Sequence, residues 1–187
     1  FDEVKSGFRL GLLGAQGQYN VEPDITCFAK AISNGYPLSL VCGKRKFKNV
    51  FDKNALITTT YAGDTLSIVA AMATIDEMIE NKIFESIYTV GDRLISGLKQ
   101  ISVNQGIEFE VKGKPPISTI LFKTGNDERD HKFSVQFSRH NFIKGLFVKI
   151  VGGPSYTLCY SHSPDDIDRA LETAEYAMKA LKKGVNV

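Results

Sequence analysis

At 187 residues, the chain is long enough for one large domain or two small ones. Its 23 Lys and Arg nearly balance 21 Asp and Glu, leaving +2, and 43% of the residues are hydrophobic, enough to fill a packed core. This excludes a disordered tail, a collagen-like chain and a strongly basic nucleic-acid binder, and no apolar run approaches the roughly 20 residues of a membrane helix. Cys27, Cys42 and Cys159 are odd in number and widely spaced, which fits reduced thiols in a cytoplasmic protein, buried as small hydrophobes. The chain opens at Phe1 with neither an initiator Met nor a signal-peptide pattern, and is expected to be a portion of something longer.

In chain order, Phe1 to Val4 reads as the tail of a strand. Ile25 to Ala29, entered by Pro23-Asp24, and Leu38 to Cys42, entered by Asn34-Gly35-Tyr36-Pro37, read as buried strands. From Leu66 to about Asn81 the apolar residues recur at helical spacing, predicting a helix with Leu66, Val69, Met72, Met78 and Ile79 on a broad core face. Ile83 to Ile101 repeats the pattern with Ile87, Val90, Leu94, Ile95 and Leu98. After Gly106 the texture becomes α+β. Phe109 to Val111 and Ile117 to Phe122 read as strands, Phe133 to Leu146 as a helix, and Phe147 to Val151 and Tyr156 to Tyr160 as two further strands. The last helix carries its own start signal: Ser163 at the N-cap, Pro164 at the first helical position and Asp166 three residues after the cap. The apolar run from Ile167 to Met178 follows, and Gly184 closes it.

Most generic site patterns are absent. Gly43-Lys44 lacks the lead-in and hydroxyl of a phosphate loop, and there is no Gly-x-Ser-x-Gly elbow. His131, His140 and His162 lack metal-ligand spacing, and Lys44-Arg45-Lys46 with Lys48 reads as a solvated cluster. Two residues stand out because each falls at the carboxyl end of a predicted strand, where open α/β sheets bind ligands: Asp2 and Lys30. A lysine there can form a Schiff base with an aldehyde cofactor, and a nearby carboxylate can hold a protonated pyridine nitrogen. From spacing alone, Lys30 is as readily a surface lysine and Asp2 an ordinary strand-end acid.

A longer pattern adds to this. Phe1-Asp2-Glu3-Val4-Lys5-Ser6-Gly7-Phe8-Arg9, Gly14-Ala15-Gln16, Val21-Glu22-Pro23-Asp24-Ile25, Ala29-Lys30-Ala31-Ile32-Ser33-Asn34-Gly35-Tyr36-Pro37, Thr60-Tyr61-Ala62-Gly63-Asp64 and Tyr160-Ser161-His162-Ser163-Pro164-Asp165-Asp166-Ile167-Asp168 follow one another. In that order they resemble the class-III pyridoxal-phosphate (PLP)-dependent aminotransferases, in particular the glutamate-1-semialdehyde aminomutase branch. The resemblance implies an α/β fold: the C-terminal part of the large domain of a fold-type-I PLP-dependent transferase over residues 1–105, with its long connecting helices, and a small C-terminal α+β domain over 106–187. It implies that Lys30 forms the Schiff base with pyridoxal 5'-phosphate, that Asp2 holds the pyridine nitrogen, and that Val4 packs on the ring. Thr60 would reach the cofactor phosphate of the neighbouring subunit, so a homodimer with a shared active site is implied.

There are departures. Asp64-Thr65 stands where relatives carry Asn-Pro, so Asp64 is expected to turn away and cap the following helix; Ser33-Asn34 replaces a Gly-Gly pair. Arg139 and Arg169 read as helix-surface residues rather than as a carboxylate-binding arginine. Relatives place their phosphate-binding Gly-Ser loop and ring-stacking aromatic ahead of the Asp-Glu-Val segment, so this portion is expected not to be a competent enzyme by itself. The reaction implied is amino-group transfer between a small-molecule amino donor and a carbonyl acceptor, in the cytoplasm, with no nucleic-acid or membrane partner and no metal. Its rivals are an intramolecular aminomutase (an isomerase) and a non-catalytic dimerising fragment.

Overall fold

The computed structural model describes residues 1–49 and 60–184. It divides into two compact units, Phe1–Phe84 and Glu85–Val187.

The first unit starts with a parallel pairing. Phe1 to Glu3 runs beside β1 (Ile25–Ala29): the Cys27 amide donates to the Phe1 carbonyl at 3.0 Å and the Glu3 amide to the Cys27 carbonyl at 2.9 Å. On its other edge β1 pairs antiparallel with β2 (Ser39–Gly43), in the register Thr26 with Cys42 and Ala29 with Ser39. β1 has the expected bounds, but of its five residues only Thr26 is buried, whereas β2 is displaced by one residue and is exposed along its whole length. An apolar run carries no information on what covers it, and among the described residues β2 is paired by β1 alone. Cys42, on β2, is therefore exposed rather than buried; Cys27 and Cys159 are half-buried, and all three are free thiols.

Between the Phe1–Glu3 segment and β1 the chain forms α1 (Gly14–Tyr19), and after β2 comes α2 (Thr65–Glu80), which packs on the short 3-10 turn Lys30–Ser33. Asp64 caps α2 as expected: its Oδ2 accepts from the Ser67 amide at 2.8 Å and the Ser67 hydroxyl at 2.5 Å. The buried face of α2 departs from expectation. Ser67 and Ala71 are buried, while Leu66, Val69, Met72 and Ile79 are between 55% and 62% exposed. The helix is apolar around most of its circumference, so periodicity alone could not choose a face. The small residues permit close approach to the Lys30–Ser33 turn, and the large ones point elsewhere.

The second unit holds all but the first two residues of α3 (Ile83–Gln105), a four-stranded antiparallel sheet, α4 (Asp127–Ile143) and α5 (Pro164–Lys182). The sheet order is β3-β4-β6-β5, from β3 (Phe109–Lys114), β4 (Ile117–Phe122), β5 (Lys149–Ile150) and β6 (Pro154–Thr157). β3 runs three residues further than expected because Pro115-Pro116 alone makes the turn into β4. β5 and β6 are shorter than expected, since the turn at Gly152-Gly153 and the departure of the chain after Thr157 end their pairing. α4 starts six residues before the expected Phe133. Its Asn126 cap accepts from the Arg129 amide, and Asp127, Glu128 and Asp130 suit the positive end of the helix dipole, signals that apolar spacing does not show.

The core of this unit is made where the helices meet the sheet: Leu94, Leu98, Ile120, Phe137, Ile167, Ala174, Ala177 and Met178 are at most 1% exposed. Phe122 meets Phe109, Phe133 and Phe137 edge to face, at centroid separations of 5.6–6.2 Å. Gly91 on α3 lies against Pro115, where a Cβ would come within 2.6 Å of the Pro115 carbonyl oxygen. Arg93 grips Asp168 through Nε and Nη2 at 2.6–2.9 Å, but both are half exposed, so the pair contributes at most about 1 kcal/mol.

The capping box at α5 forms as its sequence announces: the Asp166 amide donates to Ser163 Oγ at 3.2 Å, and Asp166 Oδ2 accepts from the Ser163 amide at 2.9 Å. These Ser163 bonds hold the Asp166 carboxyl below its ordinary 3.8, and the Ser67 bonds do the same for Asp64. Folding therefore gains from both ionised carboxylates above about pH 4, and loses that gain as pH falls through the depressed values. Ser163→Ala is expected to cost about 1 kcal/mol, read from the urea midpoint at pH 7. Asp166→Asn should flatten the acid limb of the stability profile, and an unchanged limb would remove the cap from this account.

Candidate functional site

Asp2 and Lys30 come together through the parallel pairing. Asp2 is in register with Cys27, so the two segments run in the same direction and end on the same rim; Lys30 is the first residue beyond β1. Both are solvent-exposed. Asp2 Oδ1 accepts from the Val4 amide at 2.9 Å, which turns the carboxylate toward the carboxyl end of its segment and fixes its rotation. Val4, half-buried, stands next on that rim.

Lys30 has φ +56°, in the left-handed region, and opens the 3-10 turn Lys30–Ser33. A side chain carrying a Cβ costs about 1–2 kcal/mol there, and this turn meets that cost with local bonds. Ser33 Oγ donates to the Tyr36 carbonyl at 2.6 Å, the Tyr36 amide donates to the Ser33 carbonyl at 3.1 Å, and Ile32 is buried beneath. Residues held in sparsely populated conformations gather at functional sites, and here one such residue is a lysine at the carboxyl end of β1, on the rim with Asp2.

A residue that sequence reasoning passed over supports this rim. Glu3 is fully buried. Its Oε1 accepts from the Gln16 amide at 2.8 Å; its Oε2 accepts from the Ala15 amide at 3.0 Å and from the Ser6 hydroxyl. Those amides belong to the first turn of α1, so the carboxylate ties residues 3–6 to residues 14–16. Gly14 makes room: at φ +61°, a Cβ there would lie 2.5 Å from Glu3 Oε2 and 2.9 Å from the Gly7 Cα. The signal available in the sequence was alternation. Neighbours on an extended segment point to opposite faces, so an Asp2 at the rim implies an inward Glu3 that needs internal donors.

Thr60 is exposed at the start of the turn that leads through Gly63 to Asp64 and α2. Its neighbours Thr58 and Thr59 lie outside the described residues. Among the basic cluster, Lys46 pairs with Asp24 at 2.9 Å and Lys44 with Glu22 at 3.4 Å. The Lys46 bond pulls Asp24 below its ordinary range, and the Glu22 bond raises Lys44. Arg139 and Arg169 are exposed on α4 and α5. No helix among the described residues is long and apolar enough to cross a membrane, and no group of three or more His, Cys, Asp or Glu among them is placed to hold a metal.

The family model for aminotransferase class-III matches residues 1–177. The chain belongs to the class-III aminotransferases. Among its relatives, glutamate-1-semialdehyde 2,1-aminomutase of Methanosphaera stadtmanae is 31% identical, the match covering 97% of this chain and 45% of that protein. The 3-aminobutyryl-CoA aminotransferase of Cloacimonas acidaminovorans is 26% identical, over 98% of this chain and 44% of that protein. In structure, the PLP internal aldimine form of the FumI protein of Sphingopyxis sp. MTA144 superposes with a TM-score of 0.87 at 24% identity, covering 97% of this chain and 42% of that one. An omega-transaminase of Sphaerobacter thermophilus gives 0.85 at 20% identity, over 96% and 43%. This class-III chain thus spans under half the length of the relatives it matches, and its fold is that of the corresponding portion of these transaminases, as the sequence pattern implied.

Proposed function

We propose that this chain carries the lysine-bearing half of a PLP-dependent enzyme that transfers an amino group between small molecules. The observation that carries the reading is the strained Lys30, held at the carboxyl end of β1 on the same rim as Asp2. The residues present suit the cofactor. Lys30 presents an amine where an aldehyde could be met, Asp2 keeps a carboxylate in one rotation for a pyridine nitrogen, and Val4 offers an apolar surface beside it. When bound, pyridoxal 5'-phosphate supplies an electron sink for the carbon that loses its proton.

The chain's own residues do the rest. Lys30 would serve as general base and then acid, its Nζ taking a proton from one substrate carbon and returning it to another. Asp2 would hold the pyridine nitrogen by a charge-assisted hydrogen bond. Thr60 would hold the cofactor phosphate across a subunit boundary. A homodimer is supported by the large apolar side chains that α2 leaves exposed, Leu66, Val69 and Met72 among them. A cytoplasmic location is supported by three unpaired thiols. We retain 1–105 and 106–187 as the division into large and small domains; of the two compact units, the second takes in nearly all of α3. A second reading, an intramolecular aminomutase, is favoured by the aminomutase relatives of about 30% identity.

The test uses the complete enzyme, with the half of the fold that relatives carry ahead of this region. Asp2→Asn is expected to retain bound cofactor through desalting while weakening a hydrogen bond worth about 1.5–3 kcal/mol, or roughly ten- to a hundredfold in turnover. Undiminished turnover with cofactor retained would assign the ring nitrogen to another group. Product analysis with a single amino-keto substrate, with and without a separate acceptor, separates transfer from mutase chemistry.

A further inference from the structure

A cavity of about 270 Å³ lies within the second unit, between β6 and the first turns of α5. Tyr156 belongs to its β6 wall and Ile167, Arg169 and Ala170 to its α5 wall, while Lys144 reaches it from the end of α4. This volume is just below the range of pockets that hold drug-sized ligands, so it suits a molecule of few heavy atoms.

Tyr156 singles this cavity out. It is in register with Ser118 on β4, and both are buried, so their side chains leave the sheet on its helix-covered face. The Tyr156 side chain thus projects from β6 toward α5, into the gap that the cavity occupies. Only 7% of the residue is exposed, yet its hydroxyl has no hydrogen-bond partner among the described residues. Burying a hydroxyl without a partner is costly, and the large majority of buried polar groups have one. Burial also pushes the phenol well above its ordinary 10.0, so it stays protonated: a donor that lacks an acceptor.

The other polar groups of the wall do not supply that acceptor. The Asp166 carboxylate accepts from the Ser163 amide and hydroxyl at 2.8–2.9 Å, and Thr173 donates its own hydroxyl to Asn141 Oδ1 at 2.9 Å. His162 Nδ1 accepts from the Cys159 amide at 3.0 Å, which leaves the proton of the neutral ring on Nε2 and makes it a second donor. Lys144 and Arg169 set two cations against the one carboxylate. Leu94, Leu158 and Ile167 add apolar surface. A negatively charged acceptor on a short apolar body matches these donors, this charge and this lining.

We propose that this cavity binds a small carboxylate with a short aliphatic body, one oxygen of which accepts from the Tyr156 hydroxyl. Lys144 and Arg169 supply the attraction for its charge, and the leucine and isoleucine side chains cover its body. None of these residues has a part in the amino-group transfer proposed above, so the site stands or falls independently of that reading.

Sodium isobutyrate is the probe, titrated at constant ionic strength into the 187-residue chain and followed by amide proton–nitrogen spectra. Saturable shifts are expected at the Tyr156, Leu158 and Ala170 amides, with a Kd of about 1–10 mM. Isobutyramide, of the same shape but uncharged, should bind about tenfold more weakly. Arg169→Gln should narrow that gap between carboxylate and amide. Tyr156→Phe removes the hydroxyl and little else, and two readouts should then move in opposite directions. Isobutyrate affinity should fall by about ten- to a hundredfold, while the urea midpoint of the ligand-free variant should rise, because a buried group without a partner is gone. A tyrosine serving the fold alone would lower the midpoint on losing its hydroxyl. The proposal is overturned by the absence of saturable shifts at these amides up to about 100 mM isobutyrate, by undiminished binding in Tyr156→Phe, or by a lowered midpoint in that variant.

Discussion

Lys30→Ala, made in the complete enzyme, is expected to abolish the borohydride-reducible link between cofactor and protein and to lower turnover by about 10²–10⁴. In the proposed reading two roles rest on one nitrogen: covalent capture of the aldehyde and proton transfer at the reacting carbons. Neither Asp2 nor Thr60 can replace it, the first being an acid and the second a hydroxyl at another turn. The fold should survive the change, since Lys30 is exposed and its burial contributes nothing. Alanine at φ +56° carries the same backbone strain as lysine, so a near-unchanged urea midpoint is the expected control. Persistence of a reducible cofactor–protein bond in Lys30→Ala would place the attachment on another lysine and remove the central residue of the proposed site.

Glu3→Ala is expected to be the most damaging substitution in the first unit. It strands the Ala15 and Gln16 amides and the Ser6 hydroxyl, all of which end on a carboxylate with no solvent exposure. Hydrogen bonds to a charged group are worth about 1.5–3 kcal/mol each, and water entering the vacated space recovers part of that. A net loss of about 3 kcal/mol follows, measured as a fall in the urea midpoint. Glu3→Gln keeps an acceptor of nearly the same shape and should lose less. The consequence for the rim is separate from stability: residues 3–6 would no longer be tied to α1, and the Asp2 carboxylate, set by the Val4 amide, would lose its fixed rotation. Amide exchange over residues 3–16 reads that loosening directly. Protection in Glu3→Ala equal to that of the unaltered chain would show that the carboxylate does not organise the segment.

Much of the molecule was legible from local signals because those signals are themselves local interactions. The α5 start was readable since Ser163, Pro164 and Asp166 satisfy one another within a single turn, and the Asp64 cap was readable for the same reason. β1 was bounded by Pro23-Asp24 on one side and the Lys30 turn on the other, and the core face of α3 followed from spacing because Leu94 and Leu98 belong to one stripe on an otherwise polar helix. The likeness to class-III aminotransferases was carried by ordered motifs, which need no coordinates.

What the tertiary structure alone decided concerns partners distant in sequence. The α2 helix is apolar on several faces, and only its packing on the Lys30–Ser33 turn selected Ser67 and Ala71 for burial. The exposure of β2 and of Cys42 depends on which strands pair with it, a fact absent from the residues of β2 themselves. Sequence placed Asp2 and Lys30 each at a strand end. That they share a rim follows from a parallel pairing across some 25 residues, Asp2 with Cys27, which spacing does not encode. Glu3 was hidden for the same reason: its donors arrive from residues 15 and 16, and a buried acid is recognisable only once the amides that satisfy it are in place. Local chemistry is written in consecutive residues, whereas burial and convergence are properties of contacts that the chain makes only when folded.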